Sequence, residues 1–551
     1  MKKVLIVGGV AVGASAAARL RRVDENAEII LFEKGNYISY ANCGLPYYIG
    51  GAIENRGDLL VATLELMKDR FNVDVRVNSE VVNLDVEAKK VTVSSKDKGV
   101  YEESFDYLVL SPGARPLSPN IPGIDSDRIY TLRNIMDTDK IKAVAANIKS
   151  AVIIGGGYIG VEMAENLREK GVEVTLVEAA PHILAPFDDD LITVAEKEME
   201  DKGVKLSFNN GVVAFHEVEK GIEVELKSGD KIKADIIISA MGVTPDTEFL
   251  KETGIELGAR GHIIVNELME TNIKGIYAGG DAVEVVDFVN GTKTAIPLAG
   301  PANKHGRIIA DNINGRIDKY KNTQGTTVIK VFDLALAATG NNEKTLNRLN
   351  IPHKTIIIHP NNHAGYYPGA TQITLKLMFN DEGKILGAQA LGYAGVEKRI
   401  DVIASILRMG GTIYDLTEME LSYAPPFGSA KDPVNFAGYV AENVLLGYSD
   451  VVHPRELKNI KGNPNIVVLD VRTAGERKAG SVDGSILIDV NVLRDNLDKL
   501  DKNKEYWIHC AVGIRAYIAE RILKQNGFKC KNITGGYKTI SAMEFKPRGL
   551  K

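Results

Sequence analysis

The sequence predicts an α/β protein with two similar nucleotide-binding units, a mixed α+β region and a small terminal α/β domain. A strand, a glycine-rich turn and a helix follow one another twice in the first third of the chain. Beyond about residue 326 these motifs stop, and strand-like runs such as Ile373–Phe379 replace them. A polar connector after Asp450 then precedes a new series of buried strands. At about 100 to 200 residues per domain, 551 residues make three or four domains.

The first nucleotide-binding unit starts at the N-terminus. It consists of a strand, a glycine turn, a helix and a second strand, at Val4–Val7, Gly8-Gly-Val-Ala-Val-Gly13, Ala14–Arg22 and Glu28–Phe32. This Rossmann-like order places a pyrophosphate at the helix N-terminus and lets Glu33 accept the ribose hydroxyls. Val10 stands at the middle glycine position. We expect Gly9 to offset that departure, because it still lets the backbone approach a pyrophosphate.

The second unit repeats the pattern. Its strand, turn, helix and second strand lie at Ala151–Ile154, Gly155-Gly-Gly-Tyr-Ile-Gly160, Val161–Lys170 and Val174–Val177. The acid that follows is Glu178, whose carboxylate repels a 2′-phosphate, and no arginine lies between Ala179 and Phe187 to bind one. The sequence therefore predicts two dinucleotide sites, the second with a preference for NADH over NADPH.

Further strands connect these units. Tyr107–Leu110 leads into Ser111–Pro116 and Ile236–Ser239 leads into Ala240–Pro245, which we expect to be crossings between nested domains. A later strand ends in Gly280 and Asp281, where a flavin's ribityl and phosphate groups would bind. The candidate cofactor-binding residues are Gly8, Gly9, Gly13, Glu33, Ser111, Gly113, Gly155, Gly157, Gly160, Glu178, Gly242, Gly280 and Asp281.

Composition excludes several classes of function. Lys+Arg number 67 and Asp+Glu 72, a net charge of -5, so no overall basic field exists to attract nucleic acid or anionic lipid. No apolar run reaches the 18 or so residues that a membrane span needs. Three cysteines in so long a chain argue for a reducing compartment, and we expect a cytoplasmic protein. The nine histidines lack metal-ligand spacing, so no metal site is predicted.

Cys43 is the most informative residue of the N-terminal half. It lies in Ser39-Tyr-Ala-Asn-Cys43-Gly-Leu-Pro, and the next cysteine is Cys510. A reductase with an internal dithiol needs two neighbouring cysteines, so the sulfur partner here must come from outside. The expected position at a helix start favours the thiolate.

Residues 1 to 446 resemble the pyridine nucleotide-disulfide oxidoreductases, and within them the single-cysteine branch that includes coenzyme A disulfide reductase, NADH peroxidase and NADH oxidase. The resemblance implies FAD at the first motif, NADH at the second, and electron transfer through the flavin to Cys43.

A basic cluster, Arg19-Leu-Arg21-Arg22, lies on the first helix near Lys68 and Arg70. From charge alone such a cluster is more often a solvated helix face. The resemblance implies instead that it binds the phosphates of coenzyme A. The candidate substrate-binding residues are Ser15, Arg19, Arg22, Ser39, Asn42 and Lys431.

Two aromatic loops in the third region contain Tyr366, Tyr367 and Tyr423. Taken alone, such loops are more often packing. The resemblance implies that Tyr423 and one of the other two reach over Cys43 from a partner subunit and donate protons to a leaving thiolate. We therefore expect a two-fold homodimer.

The C-terminal region resembles a rhodanese, with Asp470, Arg472 and Glu476 followed by the loop Cys510-Ala-Val-Gly-Ile-Arg515. Backbone N–H groups and Arg515 are expected to point at one anion and to favour a thiolate and then a persulfide at Cys510. Gly480-Ser-Val departs from the usual Gly-His-Ile of that family. Cys530 is expected to fill a strand.

The predicted domains are FAD-binding at 1–112 with 244–325, NADH-binding at 113–243, dimer interface at 326–447, a linker at 448–458, and rhodanese-like at 459–551. The expected activity is NADH-dependent reduction of coenzyme A persulfide, coenzyme A disulfide or polysulfide, with hydrogen sulfide as a product. Two alternatives stay open. One is an NADH oxidase or peroxidase with a Cys43 sulfenic acid; the other is a sulfur-relay or redox-sensing protein with incidental NADH turnover.

Overall fold

The computed structural model describes residues 2–550 and confirms the predicted α/β class. The chain forms two compact units, residues 2–181 with 207–325 and residues 182–206 with 326–550. Residues 182–206, which the sequence assigns to the NADH-binding domain, thus belong to the second unit. Across residues 2–550, no helix combines the length and apolar character needed to cross a bilayer.

The first part of the first unit is a parallel sheet with a flanking hairpin layer. Its elements are β1 (Lys3–Val7), α1 (Ala11–Val23), β2 (Glu28–Phe32), α2 (Leu45–Gly50), α3 (Leu64–Asp69), β3 (Asp74–Arg76), β4 (Ser79–Asp85), β5 (Lys90–Ser95), β6 (Gly99–Ser104) and β7 (Tyr107–Leu110). The central strand β1 pairs in parallel with β2 and β7. Its apolar residues are buried on both faces, as a continuous apolar run predicts.

The second dinucleotide motif forms a separate parallel sheet. The elements that follow are β8 (Ala114–Pro116), β9 (Ile129–Tyr130), α4 (Ile135–Ala145), β10 (Ser150–Ile154), α5 (Tyr158–Glu169), β11 (Glu173–Val177), α6 (Asp189–Asp201), β12 (Lys205–Ser207), β13 (Val212–Val218), β14 (Gly221–Leu226), β15 (Lys231–Ala234), β16 (Ile236–Ser239) and β17 (Val243–Pro245). Strand β10 lies between β11 and β16. The two predicted crossings meet, because β8 and β17 form an antiparallel pair.

Helices α1 and α5 begin earlier than predicted. The sequence places their starts at Ala14 and Val161, whereas the structure begins them at Ala11 and Tyr158. The last glycine of each turn therefore lies inside the first helical turn. Glycine is required at both positions, because a Cβ on Gly13 or on Gly160 would lie 1.9 Å from the carbonyl oxygen of the first glycine of the same motif.

The chain then returns to the first sheet. This segment contains β18 (Ile263–Ile264), β19 (Ile276–Ala278), β20 (Val283–Val286), β21 (Lys293–Thr294) and α7 (Ala299–Ile313). Strand β19 joins β7 in parallel and completes the order β19-β7-β1-β2-β3. Helix α7 packs closely on α1, and a Cβ on Gly306 would lie 2.5 Å from the carbonyl oxygen of Val12.

The second unit starts with an antiparallel sheet. Its elements are β22 (Thr327–Val331), β23 (Leu334–Gly340), α8 (Glu343–Arg348), β24 (Lys354–Ile358), β25 (Thr374–Phe379), β26 (Ile385–Gly392), α9 (Val396–Arg408), α10 (Ile413–Glu418) and α11 (Pro433–Leu445). The sheet order is β22-β23-β26-β25-β24. The strand-like run Ile373–Phe379 matches β25 within one residue.

The C-terminal domain is a five-stranded parallel sheet with helices on both faces. Its elements are β27 (Val451–Val452), β28 (Ile466–Asp470), α12 (Ala474–Lys478), β29 (Ile486–Leu487), β30 (Glu505–His509), α13 (Ile514–Gln525), β31 (Lys529–Ile533) and α14 (Gly536–Met543). The strand order is β27-β31-β30-β28-β29. Tyr506 and Ile508 of β30 pack into one core, and Trp507 between them packs into the other. Cys530 lies buried in the first core, in β31 as predicted.

Candidate active site

The two glycine turns have the same geometry. Gly8 and Gly155, the first glycines, have φ of 92° and 104°, a backbone region that favours glycine. A Cβ on Gly8 would lie 2.1 Å from the Ser111 carbonyl oxygen, and one on Gly155 would lie 2.2 Å from that of Ala240. Both turns thus pass directly beneath the following crossing strand, where only glycine fits.

The middle position of the turn tolerates a side chain. Gly157 is the N-cap of α5, and a Cβ there would meet nothing within 4 Å. Val10 occupies the corresponding N-cap of α1. Gly9 is more constrained, because its Cβ would lie 2.6 Å from the Ile38 side chain. The departure at Val10 therefore leaves the shape of the first turn intact.

Glu33 and Glu178 are held in the same way at the two turns. Each carboxylate accepts a backbone N–H from the second glycine of its turn, Gly9 at 2.9 Å and Gly156 at 2.6 Å. The other oxygen of each accepts the N–H of the residue two positions after the acid, at 2.8 and 2.7 Å. Each oxygen keeps a second lone pair with which it can accept a ribose hydroxyl.

A cavity of about 320 Å³ opens at the first turn. Seven predicted residues line it: Gly8, Glu33, Asn42, Ser111, Gly113, Gly280 and Asp281. The buried Oδ1 of Asn42 has no hydrogen-bond partner, so the lining retains an acceptor for a bound group. Arg133, which also lines the cavity, was not predicted, because a lone arginine before a helix cap gives no sequence signal.

Cys43 lies in a single 3-10 turn, Asn42–Gly44, directly before α2. The residue is exposed, but loss of hydration at the sulfur raises the thiol pKa, and Glu162 and Asp281 raise it further. The expectation that a helix start favours the thiolate is therefore not met by the protein groups alone. The reason is that α2 has only six residues and acidic side chains lie nearby.

A second groove, of about 420 Å³, runs along α1 and α7. Its lining residues are Ala14, Ser15, Ala18, Arg19, Arg22, Ser39, Val61, Ala62, Met67, Phe71, Asn303 and Arg307. Four of the six predicted substrate-binding residues are in this set. Asn42 lines the first cavity instead, and Lys431 is an exposed residue of the second unit. Asn303 and Arg307 were missed, because α7 reaches the groove only through its packing on α1.

The groove side chains differ in their partners. Arg19 Nε donates to the buried Asp311 carboxylate at 2.7 Å, so its guanidinium is partly committed. The Arg22 guanidinium lies 5.9 Å from the ring centre of Phe71. Ser15 donates to the Asn303 side-chain oxygen at 2.6 Å. We therefore expect Arg22 to be more available to an anion than Arg19.

The tyrosine loops of the second unit distinguish the two neighbouring tyrosines. The hydroxyl oxygens of Tyr366 and Tyr423 are 2.8 Å apart, and this hydrogen bond raises the pKa of Tyr366. Tyr367 instead packs edge-on against His363, with ring centres 5.7 Å apart. Tyr366 is thus the hydrogen-bond partner of Tyr423 within the chain, whereas the role of either neighbouring tyrosine at an active site stays a prediction.

Cys510 lies at the end of β30 and is fully buried. Its Sγ accepts the N–H of Gly513 at 3.1 Å. The Arg515 guanidinium forms two hydrogen bonds with the Glu476 carboxylate, at 2.5 and 2.8 Å. Glu476 and, more weakly, Cys510 raise the pKa of Arg515. Arg515 therefore interacts with the Glu476 carboxylate as well as with the sulfur, at which the sequence predicted it to point.

Gly480, the residue that Gly480-Ser-Val keeps from the usual Gly-His-Ile, has a steric role. A Cβ on Gly480 would lie 2.3 Å from the hydroxyl of Tyr537, and the Arg472 guanidinium donates to the Gly480 carbonyl at 2.7 Å. Arg472 also binds the buried Asp470 carboxylate at 2.8 and 2.9 Å. These contacts support the wall of the Cys510 loop.

The rhodanese-like domain is anchored to the preceding domain by buried polar contacts. The ammonium of Lys376 lies 2.6 Å from Asp190 and 2.7 Å from Glu343, and His453 Nε2 is also 2.7 Å from Asp190. Asp190, Glu343 and His453 are the one group of three candidate metal ligands in residues 2–550, and Lys376 supplies the cation there. Asp190 also explains why α6 packs with the second unit.

A second anchor lies at His359. Its Nε2 lies 2.9 Å from Thr539 Oγ1 and 3.1 Å from the Gly535 carbonyl oxygen. Burial lowers the pKa of His359 to about 3, so the ring is neutral. Both histidines thus make buried polar contacts.

Family models match most of the chain. The pyridine nucleotide-disulphide oxidoreductase model matches residues 2–306, the dimerisation domain of the same family matches residues 326–433, and the rhodanese-like domain matches residues 453–543. The coenzyme A disulfide reductase of Staphylococcus haemolyticus is 36% identical over 449 residues, which are 81% of this chain and 100% of that protein.

Two solved structures are similar over nearly the full length. Reduced Bacillus anthracis CoADR-RHD is 50% identical with a TM-score of 0.96, covering 98% of both chains. An NAD-dependent persulfide reductase from A. fulgidus is 34% identical with a TM-score of 0.91, covering 98% of this chain and 100% of that one.

Proposed function

The chain belongs to the pyridine nucleotide-disulphide oxidoreductase family, and from that membership we propose that it is an NADH-dependent flavoprotein reductase of coenzyme A persulfide, coenzyme A disulfide or polysulfide. One observation carries the proposal. Cys43 is exposed in a segment whose Asn42 lines the nucleotide cavity and whose Ser39 lines the basic groove. A thiol in this position can meet a cofactor on one side and a phosphate-bearing thiol compound on the other.

The first cavity suits FAD. Its glycine turn leaves backbone room for a pyrophosphate, Glu33 is fixed at the ribose position, and the Asn42 acceptor lacks a partner. The second turn, with Glu178 held in the same way, suits NADH. When bound, FAD accepts a hydride from NADH and passes two electrons to the cysteine side of the site.

The groove supports coenzyme A as the carrier of the reacting sulfur. Arginines from two helices, Arg22 and Arg307, line it together with apolar residues such as Phe71. Guanidinium groups bind phosphate oxygens well, and the apolar wall suits the rest of a coenzyme A molecule.

The chemistry at Cys43 can be written with all atoms balanced. Its thiolate attacks the coenzyme A sulfur of the persulfide, which forms a Cys43–coenzyme A disulfide and expels HS⁻, released as hydrogen sulfide after protonation. Two electrons that originate from NADH then cleave the mixed disulfide and restore the Cys43 thiolate, and coenzyme A leaves as a thiol with one proton. With coenzyme A disulfide, the first leaving group is coenzyme A thiolate.

The tyrosine pair and the terminal domain complete the proposal. We infer a homodimer in which Tyr366 and Tyr423 of one protomer serve the Cys43 site of the other as proton donors. Cys510, with the Gly513 N–H on its sulfur, takes up sulfane sulfur and transfers it to coenzyme A.

Steady-state rates with a panel of acceptors test the function. Coenzyme A persulfide, coenzyme A disulfide, polysulfide, oxygen and hydrogen peroxide are compared with NADH as the donor, and hydrogen sulfide is measured directly. We expect the highest kcat/KM with one of the first three and a clear preference for NADH over NADPH. A higher kcat/KM with oxygen or peroxide would instead support an oxidase or peroxidase.

A further inference from the structure

The groove along α1 and α7 is bounded by two facing rows of polar side chains. The row on α1 is Ser15, Arg19 and Arg22, and the row on α7 is Asn303, Arg307 and Asp311. Residues three or four positions apart lie on one face of a helix, so each row is continuous. The rows meet at two hydrogen bonds. Ser15 Oγ donates to Asn303 Oδ1 at 2.6 Å, and Arg19 Nε donates to Asp311 Oδ1 at 2.7 Å.

Asp311 differs from the other members of these rows because it lies behind the groove. Its exposed fraction is 1%, and the lining residues of the groove include Arg19 but not Asp311. While Oδ1 accepts the Arg19 Nε–H, Oδ2 accepts no hydrogen bond from residues 2–550, and the exposed Arg316 guanidinium is 3.7 Å from it. A buried carboxylate without a charged partner is costly. The burial of Asp311 therefore favours an Arg19 side chain that stays in place.

The contact with Asp311 engages only one nitrogen of the Arg19 guanidinium. Across the described residues 2–550, neither terminal nitrogen of Arg19, Nη1 or Nη2, donates a hydrogen bond to a protein group. Both remain able to donate to two oxygens of a phosphate, the paired geometry that a guanidinium provides. An arginine that is fixed before its ligand arrives also loses less side-chain freedom on binding.

We propose that Asp311 is a positioning residue for anion binding, which holds Arg19 by Nε and presents Nη1 and Nη2 to a phosphate of coenzyme A in the groove. Asp311 touches no substrate and acts through Arg19. Its charge offsets that of Arg19, and Arg22 and Arg307 keep the groove cationic. The inference rests on the proposed function, which makes coenzyme A the ligand of this groove.

The test is the Kd of coenzyme A for the reduced, FAD-loaded protein, freed of small thiols and titrated anaerobically by isothermal calorimetry. In Asp311→Ala we expect a Kd about 5- to 20-fold higher than in the wild type, because Arg19 is no longer fixed. Asp311→Asn keeps an oxygen that accepts the Nε–H, so its Kd should stay within about 3-fold of the wild type. With coenzyme A disulfide as the acceptor, KM in Asp311→Ala should rise while kcat stays within about 2-fold, because the reacting groups are untouched.

A double-mutant cycle shows whether Asp311 acts through Arg19. Arg19→Ala alone should raise the Kd of coenzyme A about 10-fold, and adding Asp311→Ala to it should raise the Kd no further. Arg316→Ala is the matched control, because it removes the other arginine near the Asp311 carboxylate and lies outside the groove. It should leave the Kd unchanged. The flavin spectrum and the thermal midpoint show whether each variant is folded.

Additive losses in the cycle would overturn the inference, and so would tighter binding in Asp311→Ala, because Asp311 would then compete with the ligand for Arg19. Should Asp311→Ala lose its flavin, Arg19→Lys replaces it. A single ammonium group cannot serve Asp311 and a phosphate at once, so we expect a Kd close to that of Arg19→Ala, and wild-type affinity would overturn the inference. A wild type that fails to bind coenzyme A would refute the proposed function itself. That result is distinct from normal wild-type binding that the Asp311 variants leave unchanged.

Discussion

Cys43 and Cys510 are the two candidate sulfur centres, and the protein surrounds them in opposite ways. Cys43 is exposed, on a short turn, and loss of hydration at the sulfur, together with two acids, raises its pKa. Cys510 is fully buried in a loop that donates a backbone N–H to its sulfur, with Arg515 adjacent. The terminal loop thus supplies a hydrogen-bond donor to its sulfur from within the protein. Within residues 2–550 no other residue donates such a hydrogen bond to the Cys43 sulfur, and in the proposed function its environment is completed by cofactor and substrate.

Among the variants that test the contrast between Cys43 and Cys510, Cys43→Ser is expected to have the largest effect on activity. A serine cannot form the mixed disulfide, so NADH-driven reduction of coenzyme A persulfide should fall by at least about 1,000-fold. The flavin spectrum shows whether the cofactor is still bound, and sulfur transfer from thiosulfate to cyanide should persist because Cys510 is intact. Full NADH-driven turnover in this variant would refute the role of Cys43.

Cys510→Ser tests the role proposed for the second sulfur centre, Cys510. Sulfur transfer from thiosulfate to cyanide should fall by about 100-fold or more, because no persulfide can form. Cys530→Ser is the matched control, since Cys530 lies in the apolar core of the same domain and its burial raises its pKa to about 12. Equal losses in the two variants would show that the fold of the domain, and not the Cys510 thiol, had been measured.

Tyr366→Phe tests the proposal that the Cys43 site depends on tyrosine hydroxyls from the other protomer. Removing one of two paired hydroxyls should lower kcat about 10- to 100-fold, as expected for a lost proton donor. Tyr367→Phe, on the adjacent residue that packs against His363, should have a much smaller effect. If the two variants were equally impaired, the Tyr366–Tyr423 hydrogen bond would not mark the functional pair.

The smallest expected effect concerns the groove. Arg22→Ala should raise KM for coenzyme A persulfide about 10-fold through the loss of a charge-assisted hydrogen bond, with little change in kcat. Arg260→Ala, an exposed arginine outside the groove, controls for overall charge. An unchanged KM in Arg22→Ala would remove the argument for phosphate binding on α1.

Local sequence patterns determined much of this protein. The repeated glycine turns predicted two dinucleotide folds, because Gly8 and Gly155 need a backbone conformation that other residues avoid. Each acid after the second strand was correctly placed at its turn. The isolation of Cys43 and the Cys510 loop were also visible, since both depend on neighbours in the chain.

Tertiary structure decided the partners. It brought Arg307 of α7 and Arg22 of α1 into the same groove. It also paired Tyr366 with Tyr423 through a hydrogen bond. It tied Arg515 to Glu476. Backbone conformation depends on a few neighbouring residues, so it can be predicted from the local sequence. The charge that a side chain meets depends on helices that are far apart in sequence and become neighbours only when the cores pack.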